Sequence, residues 1–144
     1  MNFAGLEFTT RFLKAKERSE AELRAHLTEL GVSEDDTEEL VVWAKSKRFV
    51  DDQRIIEREV EIASTSVLRG DALVAERLAR RGIVVELELP FEVPEFDRAH
   101  HLARSRRDED LPKLSRFLTG RGFSPDTVER VIDAVQADLT EPRR

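Results

Sequence analysis

Residues 19–33 read Ser19-Glu20-Ala21-Glu22-Leu23-Arg24-Ala25-His26-Leu27-Thr28-Glu29-Leu30-Gly31-Val32-Ser33, and this stretch decides the fold. Leu23 and Leu27 are four apart and so share one helix face. Gly31, four further on, readily takes the left-handed conformation that ends a helix. Val32 then folds back over the end of the same apolar stripe. Upstream, Ser19 with Glu22 three residues later forms a capping-box pattern. Downstream, Ser33 is placed to cap the next helix.

The same spacing returns twice, as Val74, Leu78, Gly82, Ile83 and as Leu114, Leu118, Gly122, Phe123. The intervals between the glycines are unequal but lie near those of helical repeat proteins. Ser124 repeats the position of Ser33, and Pro125 after it suits the first position of a helix. The stripes that follow also match: Leu40 and Val41 hold the same offsets from Gly31 that Val131 and Ile132 hold from Gly122.

The remaining segments fill the pattern out. Phe8, Phe12 and Leu13 predict a helix before Ser19, and Asp51 or Asp52 caps one carrying Ile55, Ile56, Val60 and Ala63. Phe96, Ala99, His100 and Ala103 predict another, and Leu111-Pro112 opens the last copy. Val84 to Leu89 alternates like a strand and is followed by Pro90 and Pro94. A lone strand without a partner is unstable, so a short helical turn or an extended connector is expected there. The reading is an all-α chain of tandem three-helix units, 1–52, 53–94 and 95–144.

Composition narrows what such a chain does. Its 144 residues contain no cysteine, which removes disulfides, zinc-thiolate sites and thiol nucleophiles and suits a reducing compartment. Met1 to Arg18 has no apolar core of signal-peptide length, and no stretch approaches the roughly 20 apolar residues of a membrane span. A cytoplasmic location without membrane contact is expected. The net charge is −6 and neither half is basic overall, so charge alone does not announce a nucleic-acid partner.

No phosphate-cradling glycine loop, nucleophile elbow or zinc-binding helix pattern occurs, and only three histidines are present to act as bases. Binding rather than catalysis is expected, with no cofactor. His100 and His101 are adjacent, so on a helix their side chains diverge by about 100 degrees and do not grip one metal together. Trp43 falls in the stripe of Leu40, Val41 and Ala44, which makes it a core residue before a base-stacking platform. The acidic run Glu34 to Glu39 lies in the first turns after Ser33, where negative charge meets the helix dipole favourably.

Arginine is concentrated at Arg77, Arg80 and Arg81, at Arg104, Arg106 and Arg107, and at Arg116 and Arg121. Arg77 and Arg81 are helix neighbours and would present a cationic strip opposite Val74 and Leu78. The sharp reading is contact with phosphates or with an acidic groove. The plain one is a solvated face balanced by Glu76, Asp108, Glu109 and Asp110.

Where the three glycine-terminated copies line up, the chain resembles the RecX family, the regulators of the RecA recombinase. The residues that carry the resemblance are Arg18-Ser19-Glu20-Ala21-Glu22-Leu23 with Leu27 and Gly31-Val32, Phe49-Val50-Asp51-Asp52, Leu78 to Ile83, and Leu118 to Phe123 with Ser124. It covers roughly Phe8 to Leu139. It implies an elongated, curved array that docks in the groove of a RecA filament on DNA and restrains filament growth, strand exchange and ATP turnover. RecA is then the partner, a monomer is the expected state, and direct contact with single- or double-stranded DNA stays open. Two rivals stand beside this: a tandem helix-turn-helix-like DNA-binding module, and a non-catalytic helical scaffold for another protein.

Overall fold

The computed structural model describes residues 3–86 and 88–140, and over these the chain forms eight α-helices and no strand. They are α1 (Phe3–Ala15), α2 (Glu20–Glu29), α3 (Glu34–Ser46), α4 (Asp52–Thr65), α5 (Asp71–Arg80), α6 (Glu95–Arg104), α7 (Leu111–Gly120) and α8 (Pro125–Thr140).

The three glycines end α2, α5 and α7 in the same way. Gly31, Gly82 and Gly122 have φ of +80°, +78° and +86°, in the left-handed region. The amide after each glycine bonds back to the carbonyl of the second apolar residue: Val32 to Leu27 at 3.0 Å, Ile83 to Leu78 at 2.9 Å and Phe123 to Leu118 at 3.3 Å. The glycine amides bond to Thr28, Ala79 and Thr119. This is the Schellman arrangement, which satisfies carbonyls that a helix end leaves unpaired. The six apolar residues of the three stripes, Leu23 to Leu118, are fully buried, and burying each contributes roughly 1.5–3 kcal/mol.

The helix starts follow from their caps. Ser19 and Glu22 close a full capping box: the Ser19 amide donates to Glu22 Oε1 at 2.8 Å, and the Glu22 amide to Ser19 Oγ at 3.1 Å. Ser33 accepts from the Asp36 amide, Asp110 from Lys113 and Ser124 from Thr127. Of the two aspartates before α4, Asp51 caps the helix by accepting from the Arg54 amide. Asp52 accepts from the Glu20 amide instead.

The described chain divides into two compact units, Met1–Ile56 with Leu78–Val84, and Glu57–Arg77 with Val85–Arg144, the division falling inside α4 and α5. In the first, α2 packs on α3 and α1 on α3, around Leu23, Leu27, Leu40, Val41, Ala44 and Val50. Trp43 packs against this core, edge-on to Phe49. In the second, α6 and α7 pack on α8, around Ala99, Ala103, Leu114, Leu118, Phe123 and Val131. Phe8, expected in the stripe of α1, is half-exposed, because Gly5 and Thr9 take the inner face and Leu6, Phe12 and Leu13 flank it.

Each unit also seats a glycine turn on the start of another helix. In the first, Ser19 Oγ donates to the Arg81 carbonyl at 2.5 Å, and a Cβ on Gly82 would lie 2.3 Å from that of Ala21. In the second, the Gly70 amide donates to the Arg121 carbonyl at 2.8 Å, and a Cβ on Gly122 would lie 2.3 Å from that of Leu73.

The stretch expected to complete the middle unit carries no helix among its described residues, 84–86 and 88–94; Leu87 of the Val84 to Leu89 reading lies outside them. Of the two expected forms, the connector is the one found. Pro90 and Pro94 lack the amides a helix needs, and Val84 is 78% exposed with no face to pack on. The terminal residues 1–2 and 141–144 of the outer sequence units also lie outside the described residues.

Candidate functional site

Of the eight arginines singled out in the sequence, Arg77, Arg81 and Arg106 are fastened within the fold. Arg77 is fastened: its guanidinium forks onto Glu59, Nε to Oε2 at 2.9 Å and Nη2 to Oε1 at 3.3 Å. That hydrogen bonding raises the Arg77 pKa further above its ordinary value. Arg81 is fastened as well, donating from Nη2 to Glu22 Oε1 at 3.0 Å and to the Glu17 carbonyl at 2.8 Å. Burial alone would raise the Glu22 pKa, but the Ser19 amide and the Arg81 guanidinium hold it below its ordinary value.

The cationic strip expected from Arg77 and Arg81 is therefore a pair of internal ties. Reversing either charge would set two carboxylates against each other and disturb the fold before any partner was involved. Arg106 is also tied, to Glu109 at 2.7 Å, and lies 3.5 Å over the Phe117 ring. Arg121 lies 5.2 Å from the same ring.

Arg104, Arg107 and Arg116 are exposed and form no ion pair among the described residues. Arg104 and Arg107 come together on an open groove of about 410 Å³ with His100, over an apolar floor of Ala103, Val135 and Leu139. Asp108 and Asp138 line it as well, so the two positive charges meet two negative ones. Arg116 is exposed on α7, and Arg80 is exposed at the end of α5. Arg80 belongs to the first compact unit, Arg104, Arg107 and Arg116 to the second.

The sequence reading missed Arg98, which is 1% exposed. Its Nη1 donates to the Arg69 carbonyl at 2.7 Å, Nε to the Val93 carbonyl at 3.2 Å and Nη2 to Asp71. Its guanidinium lies 3.4 Å from the Phe91 ring centre. The available signal was its place beside Ala99 on the inward stripe of α6, where a charge stands out.

Beside it, Glu95 accepts from the Asp71 amide at 2.9 Å, the Ser124 amide at 3.1 Å and Thr127 Oγ1 at 2.6 Å. Burial would raise its pKa, but these donors hold it below the ordinary value. A carboxylate whose folded pKa is lowered stabilises the fold fully above its unfolded pKa, and this share is lost as the pH falls through the folded one. Glu95→Gln is expected to lower stability at neutral pH and to flatten the loss in acid. Thermal melts of both proteins across the carboxylate range check this.

Among the described residues no group of three or more His, Asp or Glu could hold a metal ion, and no helix is long and apolar enough to cross a membrane. His100 instead stacks on Phe96, with ring centres 5.4 Å apart.

Fold and surface together define a helical-repeat protein with glycine-terminated turns and an open, partly apolar groove lined by arginines and aspartates. No family model matches the chain. It is similar to the regulatory protein RecX of Salmonella heidelberg (strain SL476) and to that of Salmonella choleraesuis (strain SC-B67), each 28% identical with 88% of both chains covered. Its fold is that of RecX from Lactobacillus salivarius, with a TM-score of 0.79 at 20% identity over 93% of this chain and 96% of that one. A second RecX crystal structure gives 0.71, also at 20% identity, over 90% and 72%. The resemblance to the RecX family read from the residues is thereby shown.

Proposed function

We propose that the chain regulates the RecA recombinase, as an inhibitor that binds in the groove of the RecA–DNA filament and reduces strand exchange and ATP turnover. The observation that carries this reading is the match to regulatory RecX proteins along 88% of the chain. In this reading it is a monomeric, cytoplasmic, non-catalytic protein of three units, 1–52, 53–94 and 95–144, the middle one reduced to α4, α5 and a connector. The contact residues are then Arg104, Arg107, Arg116 and Arg121 in the second compact unit and, separately, Arg80 in the first, with Arg77, Arg81 and Arg106 serving to hold the fold.

The test is RecA ATP turnover on single-stranded DNA with substoichiometric amounts of the protein. A fall in turnover supports a filament regulator acting at few sites, and no change above filament concentration overturns it. The triple variant Arg104→Glu, Arg107→Glu and Arg116→Glu removes no ion pair among the described residues. Exposed charges are worth about 0.5 kcal/mol each, so three reversals are expected to weaken filament association roughly tenfold or more with helicity unchanged. Association measured by co-sedimentation and left unaltered would reject this face.

A further inference from the structure

We propose that a basic pocket at the C-terminal end of α1 binds an acidic peptide segment, carrying one large apolar side chain, of a partner protein. The pocket has a volume of about 320 Å³ and is lined by Leu13, Lys14, Lys16, Arg48, Phe49 and Arg54, with Glu17 at its edge. It lies wholly in the first compact unit. None of the eight arginines discussed above contributes to it. The inference stands apart from the RecA reading and does not require it.

Two features mark the pocket as prepared for a ligand. The first is Phe49, 47% exposed although the apolar core lies next to it; it follows Arg48, whose φ of +59° ends α3 in the same kind of turn as the three glycines, the Phe49 amide bonding to the Ala44 carbonyl at 2.9 Å. The second is charge. Lys14 and Lys16 are exposed and form no ion pair among the described residues, and Arg48 reaches only Asp51, at 3.5 Å. Arg54 is fixed beneath them, donating to Glu17 at 2.7 Å and to the Arg48 carbonyl at 3.2 Å. A locally positive, partly apolar corner thus exists on a chain of net charge −6.

The same features select a peptide over a nucleic acid. Two unpaired ammonium groups and one loosely held guanidinium match a few spaced carboxylates. They are a poor match to a strand, whose affinity grows with each phosphate neutralised. Leu13 and the exposed face of Phe49 then receive the apolar side chain.

Trp43 is the only tryptophan and lies 5.6 Å edge-on from Phe49, so its emission reports on the pocket. The intact protein is titrated at low ionic strength with a blocked decapeptide of Asp, Glu and Leu containing one Phe. A fluorescein-labelled copy of the peptide gives an independent anisotropy readout. A saturable change in both signals is expected, weakened at least tenfold by Lys14→Glu with Lys16→Glu and at least fivefold by Phe49→Ala. All three positions are exposed, and circular dichroism verifies that the variants fold. Equal affinity for a peptide with Lys in place of Asp and Glu overturns the proposal, as does binding indifferent to these variants. Tighter binding of an oligo(dT) strand, lost in the lysine variant, would also overturn it by making nucleic acid the occupant.

Discussion

Gly122→Ala is expected to lower the unfolding free energy by roughly 3 kcal/mol or more, while the same change at Gly31 costs about 1 kcal/mol. Both glycines have positive φ, so both variants carry the cost of placing a Cβ in the left-handed region. They differ in what the new methyl meets. At Gly31 nothing lies within 4 Å. At Gly122 the Cβ would stand 2.3 Å from Leu73 Cβ and 2.6 Å from the Leu73 backbone nitrogen. A backbone atom in the first turn of α5 cannot swing aside as a flexible side chain does, so the turn has to lift. Lifting it stretches the 2.8 Å bond from the Gly70 amide to the Arg121 carbonyl. Gly82→Ala is expected between the two, since its methyl meets only the Ala21 side chain closely. Guanidinium denaturation of the three variants, followed by far-UV circular dichroism, measures the order. Equal losses at Gly31 and Gly122 would mean that the costs are purely conformational and that the seated turn contributes nothing.

The fold was readable where its cause is local. A glycine eight residues after the first apolar position and followed by another apolar residue encodes a complete helix ending, and all three copies form it. The serine caps at Ser19, Ser33 and Ser124 were readable for the same reason, since each bonds an amide three residues away. What was not readable depends on partners remote in the chain. Arg77 and Arg81 looked like a surface strip because nothing nearby in sequence reveals that Glu59 and Glu22 neutralise them. Val84 to Leu89 was readable as far as excluding a lone strand, and of the turn and the connector left open the described residues form the connector. Of the candidate site residues, Arg80, Arg104, Arg107 and Arg116 remain exposed.

Arg98→Ala is expected to destabilise the protein by roughly 3–5 kcal/mol, through the lost packing of a fully buried side chain and the donors withdrawn from two carbonyls. The side chain makes four contacts on two segments, the Arg69 carbonyl and Asp71 at the start of α5 and the Val93 carbonyl and Phe91 ring of the connector. Which of these matters most is a question of burial. The Asp71 side chain is 53% exposed, so water screens its charge and the ion pair itself is worth little. The two carbonyls face a guanidinium with almost no solvent access, and without it they are left short of a donor. Asp71→Asn is therefore expected to cost only about 1 kcal/mol. Arg98→Met keeps the contact with Phe91 but strands the carbonyls, and should fall between the two. Limited proteolysis adds a local readout, because the connector carries no helix among its described residues, 84–86 and 88–94, and these contacts hold its Phe91 and Val93. Cleavage there should accelerate in Arg98→Met and hardly change in Asp71→Asn. If instead Asp71→Asn proved as costly as Arg98→Ala, charge pairing rather than carbonyl satisfaction would be what holds the connector to α6.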